Sequence, residues 1–133
     1  MRVGLVSCSG PKLKHAAPAS ELYTSPLFRK SYAHSQRTYD ATYILSGRYG
    51  LLETDKVIEP YNSNLKGLLK KDLVRWGAYV AQQIRDKIDN ESYLYFLAGR
   101  AYYASIVPYL RNPYQIPLKH MSFGPRMKWL EEH

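Results

Sequence analysis

The chain has 133 residues, and its 19 Lys and Arg against 11 Asp and Glu give a formal net charge of +8. A chain of this length can bury a hydrophobic core without disulfides or metals, so we expect a single domain over residues 1–133. The one cysteine, Cys8, excludes an internal disulfide, and no apolar run approaches the roughly 20 residues that cross a bilayer. We therefore expect a cytoplasmic protein without a membrane partner.

The excess of basic residues favours a polyanionic partner, either nucleic acid (DNA first) or a nucleotide. Lys and Arg side chains gain affinity by releasing the counterions of a phosphate backbone. The alternative is an enzyme that is basic without binding a polyanion. The 13 tyrosines serve either as stacking surfaces for bases or as half-buried core residues, and their number does not separate these roles.

The first half of the chain alternates between strand and helix patterns. Residues 2–7 (RVGLVS) are an apolar run without helical periodicity, which is typical of a buried strand. A polar loop follows, and then a helix over residues 26–39 with Ser25 as N-cap and a proline in the first turn. The second strand covers residues 42–46. Apolar residues at spacings of three and four next predict an amphipathic helix over residues 65–88.

The second half continues the alternation. Residues 93–98 (YLYFLA) predict a third strand, and residues 100–110 a shorter helix that Pro108 kinks or ends. Residues 115–119 predict a fourth strand, and Pro125 begins a closing helix. Strands that alternate with helices indicate a parallel sheet with helices on both faces. We therefore predict an α/β fold, a three-layer α/β/α sandwich around a four-stranded, mainly parallel, doubly wound sheet.

Several familiar phosphate and metal motifs are missing from the sequence. There is no G-x-x-x-x-G-K-[ST] and no G-x-G-x-x-G after a strand. A phosphatase loop would place an arginine six positions after Cys8, where the chain has Lys14. The four histidines are scattered without metal-ligand spacing. We therefore expect neither a metal nor a cofactor.

In open parallel sheets, ligands bind beyond the carboxyl ends of the strands, near the point where the strand order reverses. The predicted strand ends carry small, hydroxyl and basic residues, so we expect them to meet along one edge of the sheet. The loops 9–24 and 48–66 would fold over that edge. The predicted substrate-binding residues are Ser7, Cys8, Ser9, Lys12, Ser46, Tyr49, Tyr61, Gly99 and Arg100.

Three of these predictions leave an alternative open. The segment from Ser7 to Lys12 offers hydroxyls and backbone N–H groups to a phosphate or carboxylate, or it is simply a tight turn. Cys8 is either an activated nucleophile or a packed thiol. Tyr49 and Tyr61 either stack on a planar base or cover the core.

The predicted catalytic residues are Glu59, Asp55 and Arg48. Glu59 has apolar neighbours in the sequence, so we expect it to be partly buried, with a raised pKa suited to acid–base chemistry. Asp55 is the alternative carboxylate. Arg48 would hold a base and stabilise the charge that develops on it as a leaving group.

Four linked segments and a terminal GPRMKWL resemble a small, largely uncharacterised family of bacterial and phage proteins. In this family Gly47 would more often be alanine. Its order of elements is similar to that of the uracil-DNA glycosylase group and of the base-binding domains in deazaguanine-modification enzymes, although the glycosylases' own motifs are not evident. The segments are SCSGPK, PASELYTSPLF, SGRYGLL and IEPY.

The resemblance and the predicted strand ends together lead to one hypothesis. We expect a nucleobase- or nucleotide-handling protein, with hydrolysis of an N-glycosidic bond, as in DNA glycosylases, as its reaction. In that scheme Ser7, Ser9 and Arg100 hold phosphate, while Arg48 and Tyr49 hold the base. The alternatives are a non-catalytic nucleic-acid-binding module and a nucleotide sensor.

Overall fold

The computed structural model describes residues 1–8, 10–61 and 65–133. They form a central sheet with helices on both faces, so the predicted α/β class is confirmed. In chain order the elements are β1 (Arg2–Ser7), β2 (Ala17–Pro18), α1 (Ala19–Leu22), α2 (Pro26–Thr38), β3 (Ala41–Ser46), β4 (Gly50–Glu53), β5 (Val57–Ile58), a 3₁₀ turn (Leu65–Gly67), α3 (Lys70–Lys87), β6 (Tyr93–Leu97), α4 (Arg100–Ile106), a second 3₁₀ turn (Val107–Tyr109), β7 (Tyr114–Gln115) and α5 (Phe123–Glu132).

The central sheet has five strands rather than the predicted four, in the order β4-β3-β1-β6-β7. Strands β1, β3, β6 and β7 are parallel, and β4 runs antiparallel to β3. Strand β4 was predicted as loop. A tight turn with Gly50 at φ 73° reverses the chain, and Leu51 and Leu52 then enter the cores on opposite faces. Glycine adopts this positive φ without steric cost.

The strand order reverses between β1 and β6. The chain passes from β1 to β3 on one side, and α3 then carries it across to β6 on the other side. Helices α2 and α5 cover one face of the sheet, where Phe28 and Leu130 are buried. Helices α3 and α4 cover the opposite face, where Val80 and Ile106 are buried. The carboxyl ends of β1 and β6 therefore flank the position where such folds bind ligands.

Local sequence explains the start of α2 but not that of α3. Helix α2 begins as predicted, because the Ser25 side chain accepts a hydrogen bond from the backbone N–H of Phe28 at 3.2 Å. Helix α3 begins at Lys70, later than predicted. The apolar periodicity extends back to Leu65 because that residue is also buried, but it lies in the 3₁₀ turn. Strand β7 covers two residues, Tyr114–Gln115, instead of the predicted 115–119.

Helices α3 and α4 are in very close contact at Gly77. A Cβ atom at this position would lie 1.7 Å from the carbonyl oxygen of Ser105, which belongs to the α4 backbone. Backbone cannot move aside as a side chain can, so only glycine permits this approach. The contact holds α4, and with it the end of β6, against the long helix.

The Gln83 side chain forms hydrogen bonds with backbone groups at the outer edge of β4. The Gln83 Oε1 accepts the N–H of Leu51 at 2.8 Å, and its Nε2 donates to the carbonyl of Tyr49 at 3.5 Å. Gly50 makes room for this amide, since a Cβ there would lie 2.2 Å from Gln83 Oε1.

Candidate functional site

A cleft of about 400 Å³ opens at the carboxyl ends of β1 and β6. It lies where the strand order reverses, between the start of α2, the start of α4 and helix α5. We call it the cleft. Ser7 and Gly99, both predicted as binding residues, line it, and the Gly99 N–H donates to Ser7 Oγ at 3.4 Å. Ser9 lies outside the described residues.

Most of the cleft wall is apolar. Leu27 and Phe28 contribute from α2, Leu97 from the end of β6, and Leu65 from the 3₁₀ turn. Tyr102 of α4 also lines it, with its hydroxyl turned to the protein, where it donates to the carbonyl of Cys8 at 2.7 Å. Such a wall removes apolar ligand surface from water, which is the main source of affinity in small-molecule sites.

Arg126 is the charged group among the described residues that line the cleft. One terminal nitrogen of its guanidinium donates to the carbonyl of Met121 at 3.0 Å. Its Nε is buried and has no hydrogen-bond partner. Buried donors of this kind are nearly always paired in proteins, so the Nε–H of Arg126 lacks the partner that such a group normally has.

Ser31 adds a second hydroxyl to the cleft. It lies one turn into α2 and is 3% exposed. Neither Ser31 nor Arg126 was predicted from the sequence. Arg126 lies within the terminal GPRMKWL segment, which was interpreted as a closing helix, and its distance from β1 along the chain gave no reason to place it beside Ser7.

Behind the cleft, four polar side chains form one buried hydrogen-bond network. The Tyr61 hydroxyl lies 2.7 Å from the Tyr23 hydroxyl, 2.7 Å from Ser46 Oγ and 3.3 Å from the Cys8 sulfur. The Cys8 thiol donates to the carbonyl of Leu45 at 3.0 Å. The network joins the ends of β1 and β3 to the segments that carry the two tyrosines.

One arrangement of the protons satisfies every member of this network. In it, Ser46 Oγ accepts the N–H groups of Arg48 and Tyr49 at 3.2 and 3.0 Å, and its own proton points to Tyr61. Tyr23 also donates to the Tyr61 oxygen in this arrangement. Tyr61 donates to the Cys8 sulfur, and the thiol donates to the backbone. Tyr61 is therefore the acceptor on which two other hydroxyls depend.

Within this network, the polar groups of Cys8 and Ser46 are bonded to other parts of the protein. Burial raises the pKa of the Cys8 thiol, and hydrogen bonds from the tyrosines only partly oppose the shift. Burial also raises the pKa values of Tyr23 and Tyr61 above their ordinary range. The thiol is therefore a packed, protonated group, which is the second of the two interpretations of Cys8. The polar atoms of Ser46 are likewise used within the protein.

A second concavity of about 450 Å³ adjoins the cleft at Gly10. Lys12 and Lys14 line it together with Pro60 and Tyr61, and we call it the lysine groove. The Lys12 ammonium lies 4.6 Å above the Tyr61 ring, which stabilises both groups. That face of Tyr61 is covered by the lysine, while Tyr49 packs edge-on against the ring with centroids 5.5 Å apart.

The predicted catalytic side chains are exposed. The expected burial of Glu59 is wrong, because strand alternation turns Ile58 into the core and directs Glu59 to solvent. Asp55 lies in the turn before β5 and is exposed. Arg48 is exposed, with its guanidinium 5.5 Å above the Tyr49 ring. None of the three lines the cleft or the lysine groove in the described part of the chain.

Arg100 also lies away from the cleft. It begins α4 and lines a separate surface groove with Lys70 of α3. The edge of the sheet thus brings Ser7 and Gly99 together in the cleft. Lys12 and Tyr61 lie in the adjoining groove.

Two features are absent from residues 1–8, 10–61 and 65–133. No three His, Cys, Asp or Glu side chains cluster as ligands for a metal ion. No helix in these ranges has the length and apolar character needed to cross a membrane.

Similarity to known proteins assigns the chain to a family by its sequence. No curated protein matches it. One family model matches residues 3–132, nearly the whole chain. The protein therefore belongs to the family of unknown function DUF6884.

Proposed function

We propose that the protein binds a nucleobase or nucleotide in the cleft, with an acceptor group of the ligand at Arg126. The observation that carries the proposal is the Nε–H of Arg126, which is buried beside the cleft without an acceptor. An unpaired buried donor costs about 1 to 3 kcal/mol, and more when the group is charged. A phosphate oxygen or a carbonyl of a base removes that cost by accepting the hydrogen bond.

The size and lining of the cleft support a ligand with one planar ring. Ligand sites commonly measure about 300 to 1,000 Å³, and the cleft, at about 400 Å³, suits a base with its sugar. Leu27, which is only partly buried, offers apolar surface to the ring. Ser7 and Ser31 offer hydroxyls that donate or accept as the ligand requires.

Two further considerations support a base that carries a phosphate. The net charge of +8 attracts anions, phosphate among them, over long range. The resemblance of the sequence to the uracil-DNA glycosylase group and to the base-binding domains in deazaguanine-modification enzymes implies a base as the other part of the ligand.

Hydrolysis of an N-glycosidic bond is the reaction that fits such a ligand. It requires a group that positions water or stabilises an oxocarbenium-like centre, usually a carboxylate. Among the described residues no carboxylate lines the cleft, and Glu59 and Asp55 are exposed outside it. Binding is therefore the function that the geometry supports best, and turnover is measured alongside it.

The test is calorimetric titration of the protein with the common nucleoside monophosphates and their nucleosides, with released base followed by chromatography. Arg126→Gln is compared with Lys128→Gln, which removes an exposed charge from the same helix. We expect Arg126→Gln to weaken binding about 10- to 100-fold, the value of one charge-assisted hydrogen bond. Lys128→Gln should leave affinity unchanged.

The outcomes separate binding from catalysis. If no nucleotide or nucleoside binds to the native protein, the proposal is refuted. Equal losses in the two variants would attribute binding to general charge rather than to the cleft. Released base that is lost in Glu59→Gln would establish a hydrolase, and binding without release would establish a sensor or binding module.

A further inference from the structure

We propose that the lysine groove is a phosphate subsite for a single-stranded polynucleotide, one base of which occupies the cleft. This inference rests on the proposed function and assigns its ligand to a class. The cleft and the lysine groove meet at Gly10, which lines both. A chain whose base enters the cleft therefore passes over Gly10 into the groove.

The two lysines are available to a ligand. The ion pairs found in the described residues involve Lys30, Lys87 and Lys128, and neither Lys12 nor Lys14. The Lys12 ammonium contacts the Gly10 carbonyl at 3.3 Å and the Tyr61 ring, both uncharged partners. Each lysine thus keeps a full positive charge for a phosphate.

The backbone that carries the lysines is held in place. Leu13 N–H donates to the carbonyl of Leu22 at 2.8 Å, and Thr24 N–H donates to the carbonyl of Pro11 at 3.0 Å. Lys12 and Tyr23 form an antiparallel bridge between these bonds. The ring below Lys12 belongs to Tyr61, whose hydroxyl is fixed by the buried network. A subsite on fixed backbone costs little ordering on binding.

The chemistry of the groove favours a strand over other ligands. Lysines act as point charges that hold phosphates without reading sequence, while the cleft reads one base. A single strand offers its base without the cost of unpairing, whereas a duplex must first extrude it.

The test is fluorescence anisotropy with a labelled single strand of roughly 12 nucleotides that contains all four bases, a length within one binding module's reach. Affinity is measured against salt for the native protein and the double variant Lys12→Ala/Lys14→Ala. The matched control is Lys70→Ala/Lys71→Ala, which removes two exposed charges at the start of α3. Binding of mononucleotides and nucleoside triphosphates is measured on the same proteins.

We expect the groove variant to bind the strand at least tenfold more weakly at low salt. Two lost phosphate contacts should reduce the slope of log affinity against log salt by about 1.4, at about 0.7 per contact on single strands. Mononucleotide binding should change less than twofold, and the control variant should match the native protein in both assays.

Three results would overturn the inference. Equal losses in the control would assign strand binding to the basic surface as a whole. An unchanged salt slope in the groove variant would show that Lys12 and Lys14 do not contact phosphates of the strand. Lysine dependence for triphosphates, with no competition between the strand and mononucleotides, would make the groove a polyphosphate site. In each case mononucleotide binding that depends on Arg126 still supports the proposed function, so the two failures are distinguishable.

Discussion

Tyr61→Phe should destabilise the protein far more than Tyr23→Phe, although each removes one hydroxyl. In the satisfied arrangement, the Tyr61 oxygen accepts the protons of Ser46 and Tyr23, both of which are fully buried. Phenylalanine at position 61 leaves two buried donors without an acceptor, at about 1 to 3 kcal/mol each. We therefore expect a loss of about 2 to 6 kcal/mol. Tyr23→Phe leaves no buried donor without an acceptor and should lower the free energy of unfolding by about 0.5 to 1.5 kcal/mol.

Urea unfolding followed by tryptophan fluorescence measures the free energy of unfolding for both variants. Tyr109→Phe is the control, because Tyr109 is 39% exposed, its hydroxyl makes no hydrogen bond within the described residues, and its substitution should fall within about 0.5 kcal/mol of the native protein. If Tyr23→Phe costs as much as Tyr61→Phe, the assigned proton directions are wrong. A change in the urea slope would instead point to altered compactness, and thermal unfolding would then decide between the variants.

Three further predictions follow from packing and burial. Gly77→Ala should cost about 1 to 3 kcal/mol or more by forcing α3 from α4, while Gly124→Ala, with open space around it, should not lower the melting temperature. Cys8 should react with a thiol reagent at mildly alkaline pH only as fast as the protein opens, because burial raises its pKa; fast labelling without denaturant would contradict this. Burial beside Arg37 holds the pKa of His34 below its ordinary 6.5, so the unfolded chain binds the proton first. The contribution of neutral His34 to the free energy of unfolding should therefore be fully present above pH 6.5 and be lost as the pH falls below that value. His34→Gln should flatten this decline in urea titrations. An unchanged decline would show that another group causes it.

The sequence predicted the features that depend on a short local pattern of residues, such as strand ends and a helix cap. Strand ends are visible as the points where apolar runs stop, so the sequence alone places Ser7 and Gly99 at one edge of the sheet, where the structure has them in contact. The alternation of strands and helices predicted a parallel sheet, but not the order of its strands or the pair between which that order reverses. The start of α2 followed from Ser25, because a cap is a local hydrogen bond.

What the sequence missed depends on three-dimensional placement. Strand β4 is short, and its two leucines face opposite cores, so it shows no alternation of apolar and polar residues. Glu59 has apolar neighbours along the chain, but Ile58 points into the core on the opposite side and Val57 is itself exposed, so neighbours in sequence are a poor guide to burial. Arg126 reaches the cleft only because α5 packs beside α2, a long-range contact that no local pattern encodes.

The Gln83 side chain also has a consequence for self-association. In an edge strand, a carbonyl and the N–H two residues later point outward together and invite another chain to pair. The amide of Gln83 bonds both groups, at Tyr49 and Leu51, as one peptide unit of a sixth strand would. Gly50 provides the space in which it does so. The outward-facing groups at Tyr49 and Leu51 are thereby already paired by a single residue of a helix, so this part of the β4 edge offers less to an incoming strand, and this protection against aggregation requires no additional strand.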